Sequence, residues 1–184
     1  MTSTTSISTP LESTPRVSGV ATLFKSDTRV LLGVRNPHYV NNQKKERSLE
    51  IVGGKVELDE TPVQAANREI HEEFAYPEDK RVEFVTCDTP KAHAHDASRG
   101  VDNVLFVVHM SEDDIDQLAT QASMQMSEKI ATLPNPREAP LLSAAIVKSN
   151  AFFSSYKTSS VGFNMPLRAF NRFLVDAAVR DKLV

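Results

Sequence analysis

GKVELDETPVQAANREIHEEFAY, residues Gly54 to Tyr76, decides the reading of this chain. Its last third places Glu69, Glu72 and Glu73 in one short segment that has local reasons to be helical. Thr61 suits the cap of the first turn, Pro62 the first helical position, and Gln64 completes a capping box with Thr61. A helix is therefore expected from about residue 62. At about 100° per residue, Val63, Ala66, Ile70 and Phe74 share an apolar stripe, and Gln64, Asn67, Arg68 and His71 fall on a solvated side. Glu69, Glu72 and Glu73 lie between the two, within an arc of roughly 100° that small Ala65 shares. Carboxylates converging in this way suit a divalent cation; a solvated acidic face is the competing reading of the Glu triplet taken alone.

The wider segment closely resembles the Nudix box: a Gly, five residues, a Glu, seven residues, then Arg-Glu-apolar-x-Glu-Glu-x-Gly-apolar. Gly54, Glu60, Arg68, Glu69, Ile70, Glu72, Glu73 and Tyr76 stand at the family's positions. One position departs, Ala75 standing where the family has its last glycine. That glycine usually ends the helix at positive φ, a conformation that costs alanine roughly 1 kcal/mol. No metal ligand is touched, so activity is expected to survive.

The resemblance implies an α/β fold, the Nudix-type α/β/α sandwich with a mixed β-sheet between helices. It implies an enzyme that uses Mg²⁺ or Mn²⁺ to hydrolyse a pyrophosphate bond in a nucleoside diphosphate-linked substrate, whether a nucleotide, a dinucleoside polyphosphate or a nucleotide sugar. Position by position, Glu69 and Glu73 become the leading metal ligands, with Glu72 a third and the Gly54 carbonyl a fourth. Glu60 pairs with Arg68, and the pair orients the first ligand carboxylate; an ordinary surface ion pair is the alternative. The chemistry fits these residue types independently. A diphosphate repels an attacking hydroxide, and hard cations held by carboxylate oxygens neutralise that charge and acidify water.

Outward from the box, 184 residues suffice for one domain with a substantial core. Residues 1–16 are Ser/Thr-rich with two prolines and read as a disordered tail, leaving 17–184 as the Nudix domain. The tail's poverty in acids also fits a mitochondrial transit peptide, but Arg16 is its only basic side chain. A net charge of −3 provides no global basic field for nucleic acid or membrane. No apolar stretch approaches the roughly 18 residues of a membrane span. The single cysteine, Cys87, lies in an apolar run, excludes an internal disulfide and is expected to be buried. Together these point to a cytoplasmic protein.

Residues 17–24 and 29–34 read as a hairpin around Lys25-Ser26-Asp27-Thr28, and Ser48–Val52 as a third strand entering Gly53-Gly54. Arg81–Thr89 and Val101–Met110 read as strands joined by a loop holding His93, His95 and Asp96. Ser111 caps a helix with an acidic first turn, Glu112-Asp113-Asp114, a better account of those acids than a second metal site. Pro134, Pro136 and Pro140 make 124–140 mainly loop, and Ser154–Ser160 a connector. A closing helix is expected over about 166–182, with Leu167, Phe170, Phe173, Leu174 and Ala177 at helical spacing.

Substrate contacts are less legible. Arg35, at a strand end, is the leading phosphate contact, while Lys44, Lys45 and Arg47 form a polar loop. In the family the proton acceptor for the attacking water is often a Glu outside the box helix. Glu138, in the proline-bounded loop before Leu141–Val147, is the first candidate, and His93 and His95 compete because imidazole titrates near neutrality; the alternative is that all three are solvated and a box Glu, with Glu72 counted among the catalytic residues, acts as the base. Pro90 lies near where a proline marks many ADP-ribose hydrolases of the family, but one loop proline does not fix a substrate. The expected partner is a small nucleotide, and a homodimer is compatible with the sequence. A regulatory module on a Nudix scaffold, or one directed at RNA or its cap, is the alternative; RNA would need a basic track, for which Lys44, Lys45 and Arg47 are a thin candidate.

Overall fold

The computed structural model describes residues 17–41, 46–158 and 165–184. The tail 1–16, Lys44, Lys45 and the end of the Ser154–Ser160 connector lie outside the described residues. Seven strands form one mixed sheet: β1 (Val17–Lys25), β2 (Arg29–Arg35), β3 (Leu49–Glu50), β4 (Val52–Lys55), β5 (Lys91–Asp96), β6 (Val101–His109) and β7 (Leu141–Lys148). Against it pack α1 (Pro62–Glu73), α2 (Glu112–Thr132), α3 (Ser149–Ser155) and α4 (Ala169–Arg180). The expected three layers are present. One face of the sheet shares a core with α3 and α4 through residues such as Leu23, Leu105, Phe152 and Leu174. The other packs Val20, Phe24, Val104 and Phe106 against Ile70 and Phe74 of α1 and Ile115 of α2.

The third strand is split, and the split places the site. β1 and β2 pair only at Phe24–Leu31 and Lys25–Val30. Beyond that point residues 49–55 enter the wedge between them: β3 pairs with Gly33 and Val34 of β2, then β4 pairs with Gly19–Thr22 of β1. Ile51, at the change of partner, donates its N–H to the buried Asn171 Oδ1 of α4 at 3.1 Å, so the break leaves that donor satisfied. The expected single strand Ser48–Val52 is thus two strands joined at Ile51.

α1 starts as the capping box dictates. Thr61 accepts from Gln64 N, and the Gln64 side chain accepts from Thr61 N at 2.9 Å. Its buried face differs from expectation: Ala65, Ala66, Ile70, His71 and Phe74 are buried and Val63 only partly. His71, expected in solvent, contacts the Val82 carbonyl at 2.7 Å because the chain after α1 folds back over this face. That segment, 81–86, is not the expected strand. Asn67 of α1 holds it, accepting from Phe84 N and Val85 N and donating to Val85 O at 2.7 Å, so its backbone partners are on a helix.

The strand before β6 instead begins at Lys91, and His93, His95 and Asp96 lie on it rather than in a loop. Ala92 and Ala94 point into the core and both histidines outward. Cys87 is exposed, in the turn ahead of this strand, rather than buried. α2 overrides the loop expected from residue 124: the prolines all lie beyond its last residue, and Ala122 and Met126 bury against the sheet. Glu112 in its first turn accepts from Ser26 Oγ at 2.7 Å and Thr28 Oγ1 at 2.8 Å, pinning the β1–β2 turn. The connector also begins as helix α3, and the closing helix is shorter than expected, over Ala169–Arg180. No helix among the described residues is long and apolar enough to cross a membrane.

Candidate active site

The outer face of β4 and the C-terminal half of α1 meet at two glycines. A Cβ on Gly53 would collide with the backbone of Val20 and Ala21, and one on Gly54 would collide with the Glu69 carboxylate. Glycine is therefore required at Gly53, where the obstacle is backbone, whereas at Gly54 its absence of a Cβ leaves the space that the Glu69 carboxylate occupies. Gly53 N–H donates to Glu73 Oε2 at 3.0 Å, so β4 holds one carboxylate and leaves room for another.

Arg68 organises the rest. Its Nε donates to Glu60 Oε1 at 2.9 Å and its Nη2 to Glu60 Oε2 at 3.1 Å, while Nη1 reaches Glu69 Oε1 at 2.8 Å and Glu72 Oε2 at 3.2 Å. Nη2 also donates to the Lys55 carbonyl at 2.8 Å, tying the guanidinium to the end of β4. Glu60 is in turn anchored by Glu57 N–H at 3.1 Å. The Arg68 hydrogen bond holds the Glu60 carboxyl below the usual carboxylate range and raises the guanidinium above its own.

The two carboxylates beside the glycines are shifted the other way. Burial raises Glu69 despite its bond to Arg68. Glu73 keeps some exposed surface, yet desolvation first, then the charges of Glu50 and Glu69, push its carboxyl well above the usual range. Anions that are costly where they stand gain from a positive ion, and the donors here are hard oxygens: Glu69, Glu73 and the Gly54 carbonyl. That donor set fits Mg²⁺ or Mn²⁺. Among the described residues no three acidic or imidazole side chains converge on one point as they stand, since Arg68 engages Glu69 and Glu72.

Glu50 is the residue sequence reasoning missed. It is buried on β3, and Arg35 Nη1 donates to both its oxygens, at 3.0 and 2.7 Å. A charged residue between core-facing Leu49 and Ile51 was the available signal. Arg35, expected as a phosphate contact, is itself buried, bound to Glu50 and stacked 5.6 Å from the Tyr39 ring centroid. Arg47 is exposed.

The candidate proton acceptors are separated by the fold. Glu138 lies exposed on a 3-10 turn, Pro136–Glu138, in no contact with the box carboxylates. Asn36, next to Arg35, donates to the carbonyls of Pro136 and Ala139 and so holds that turn at the site's end of β2. His93 shares a cross-strand row with Val104, Val20 and Gly54. Three strand spacings, about 14 Å, therefore separate it from Gly54. His95 is paired with Asp102 at 2.7 Å. Neither histidine is brought to the carboxylates.

The family model described as NUDIX domain matches residues 14–147. No curated protein sequence matches the chain. Among solved structures, the NUDIX domain of Shewanella oneidensis NrtR, crystallised with ADP ribose, is 16% identical with a TM-score of 0.50, covering 96% of this chain and 94% of that one. The E. coli ORF135 protein is 21% identical with a TM-score of 0.46, covering 95% and 96%. A NUDIX hydrolase from Nitrosomonas europaea is 16% identical with a TM-score of 0.47, covering 91% of each chain.

Proposed function

The chain belongs to the Nudix family of pyrophosphohydrolases, and on that premise we propose that it uses Mg²⁺ or Mn²⁺ to split the pyrophosphate bond of a small nucleoside diphosphate-linked molecule. The observation that carries this reading is the placement of Glu69 and Glu73 against Gly54 and Gly53, with Arg68 and Glu60 fixing the first of them. A bound divalent ion would neutralise the diphosphate and make water a better nucleophile. Glu69, Glu73 and the Gly54 carbonyl would hold it, with Glu72 joining from its exposed position once released from Arg68.

The chain's own residues then do three things. Glu60 and Arg68 limit the rotamers of Glu69, so that its oxygens keep one orientation. Gly53 N–H does the same for Glu73. Glu138, on the turn that Asn36 fastens to β2, is the proposed acceptor for the proton of the attacking water, reaching the site when substrate is bound. The charged residues at the family's fixed positions, Glu60, Arg68, Glu69, Glu72 and Glu73, all take part in this arrangement, which favours an enzyme over a binding module.

The test is a substrate panel with Mg²⁺ or Mn²⁺ that follows release of phosphate, pyrophosphate and nucleoside monophosphate. ADP-ribose, the molecule held by the Shewanella domain, belongs in it with nucleoside triphosphates, dinucleoside polyphosphates and nucleotide sugars. Metal-dependent cleavage of at least one supports the reading; no cleavage of any member contradicts it.

A further inference from the structure

Residues 148–184 lie beyond the family match, yet their closing helix is fastened to the acidic site. Leu49 N–H donates to Pro166 O at 2.9 Å, and Arg168 N–H donates to Leu49 O at 3.0 Å. Leu167 thereby forms a parallel bridge to Leu49, and residues 166–168 run along the edge of β3. The Asn171 bond to Ile51 N–H fixes the same junction one turn later. This backbone register delivers the Arg168 side chain to Glu50, with Nη1 at 3.3 Å from Oε2.

Glu50 does not need a second cation for its own neutralisation. Arg35 already donates to both its oxygens from a buried position, with its side chain 10% exposed against 50% for Arg168. Glu50 is buried and Arg168 half-exposed, and with Arg35 already neutralising the carboxylate, the 3.3 Å contact of a solvated guanidinium adds little to folding. The other guanidinium at the site, Arg68, is engaged by Glu60, Glu69, Glu72 and the Lys55 carbonyl. Arg168 is thus a cation held at the solvent edge of the carboxylate cluster, on a partner that can release it at small cost.

We propose that Arg168 binds phosphate oxygens of the substrate's diphosphate, leaving Glu50 to Arg35 when it does so. The planar fork of a guanidinium matches two non-bridging phosphate oxygens. Placed beside Glu50, it approaches the site from the edge of β3, so the diphosphate would lie between Arg168 and the Glu69–Glu73 pair. The assignment rests on the hydrolytic reading for its ligand class, but its binding test does not depend on turnover.

The experiment titrates methylenediphosphonate, a diphosphate mimic that cannot be hydrolysed, into the Mg²⁺-loaded chain by calorimetry, for wild type, Arg168→Ala and Arg168→Lys. Arg168→Ala is expected to weaken binding about tenfold with an unchanged melting temperature, and Arg168→Lys to recover part of the loss. On any substrate the panel identifies, KM should rise in Arg168→Ala more than kcat falls. Equal affinity in wild type and Arg168→Ala, no binding by wild type, or a melting temperature that falls along with affinity overturns the assignment. If wild type binds the diphosphonate through Arg168 but cleaves no member of the panel, the hydrolytic reading falls and the Arg168 site stands.

Discussion

Glu60 grips Arg68 with both carboxylate oxygens, at 2.9 and 3.1 Å, and the remaining nitrogen of the same guanidinium holds Glu69 at 2.8 Å. Glu60→Gln should therefore loosen the orientation of Glu69 while leaving every ligand charge in place. Turnover is expected to fall about 10–100-fold, less than in Glu73→Gln, which removes an anion beside Gly53. Steady-state rates of the two variants at saturating Mg²⁺ compare them; a Glu60→Gln enzyme slower than Glu73→Gln would reverse the roles assigned here.

Ala75 ends α1 at a φ of +56°, with Tyr76 N–H reaching the His71 carbonyl at 2.8 Å. This is the left-handed helix end that the family fills with glycine, here adopted by a residue with a Cβ. Ala75→Gly should stabilise the chain by about 1 kcal/mol, or roughly 2–4 °C in melting temperature, after the offset from the freer unfolded chain. Turnover should be unchanged. A lower melting temperature for the glycine variant would show that the αL strain at residue 75 is relieved by packing.

Desolvation and then the Glu50 charge raise the Glu73 carboxyl well above its ordinary 4.5. Between the ordinary and the raised value the folded chain binds more protons than the unfolded chain, so this group's contribution to stability is lost as pH rises above about 4.5. Glu73→Gln keeps the shape without the charge. In EDTA, urea unfolding should show the variant gaining on wild type between pH 5 and pH 8, and added Mg²⁺ should stabilise wild type more as pH rises. A wild-type curve no steeper than the variant's would remove Glu73 from the account.

Glu138 and the His93/His95 pair sit on different sides of the carboxylates, so their pH–rate profiles separate them. Glu138→Gln should lower kcat and change the shape of the profile, whereas His93→Gln/His95→Gln should leave both near wild type. Full rate and an unaltered profile in Glu138→Gln would exclude Glu138 as the base.

What the sequence revealed was local, and what it concealed depended on long-range partners. The α1 start and the Arg68–Glu60 pairing are written in residues a few positions apart, and the structure keeps both. Segment 81–86 alternates like a strand, but Asn67 satisfies its backbone first, and no local pattern announces a helix side chain as the partner. His93 and His95 looked like loop residues because alanines, small and weakly strand-forming, carry the inward face of β5. Glu50 was visible only as a charge in an apolar strand. Its partners Arg35 and Arg168 stand 15 and 118 residues away, and only the fold brings them together.

The central claim is that Glu69 and Glu73 hold a divalent ion for pyrophosphate hydrolysis. The most direct measurement compares wild type with the Glu69→Gln/Glu73→Gln double variant on the best panel substrate, with Mg²⁺ and with EDTA, after circular dichroism has shown both to be folded. The account predicts metal-dependent cleavage by wild type and a loss of more than about a hundredfold in the double variant, beyond what misorientation of one ligand produces. Wild-type turnover by the folded double variant would contradict it.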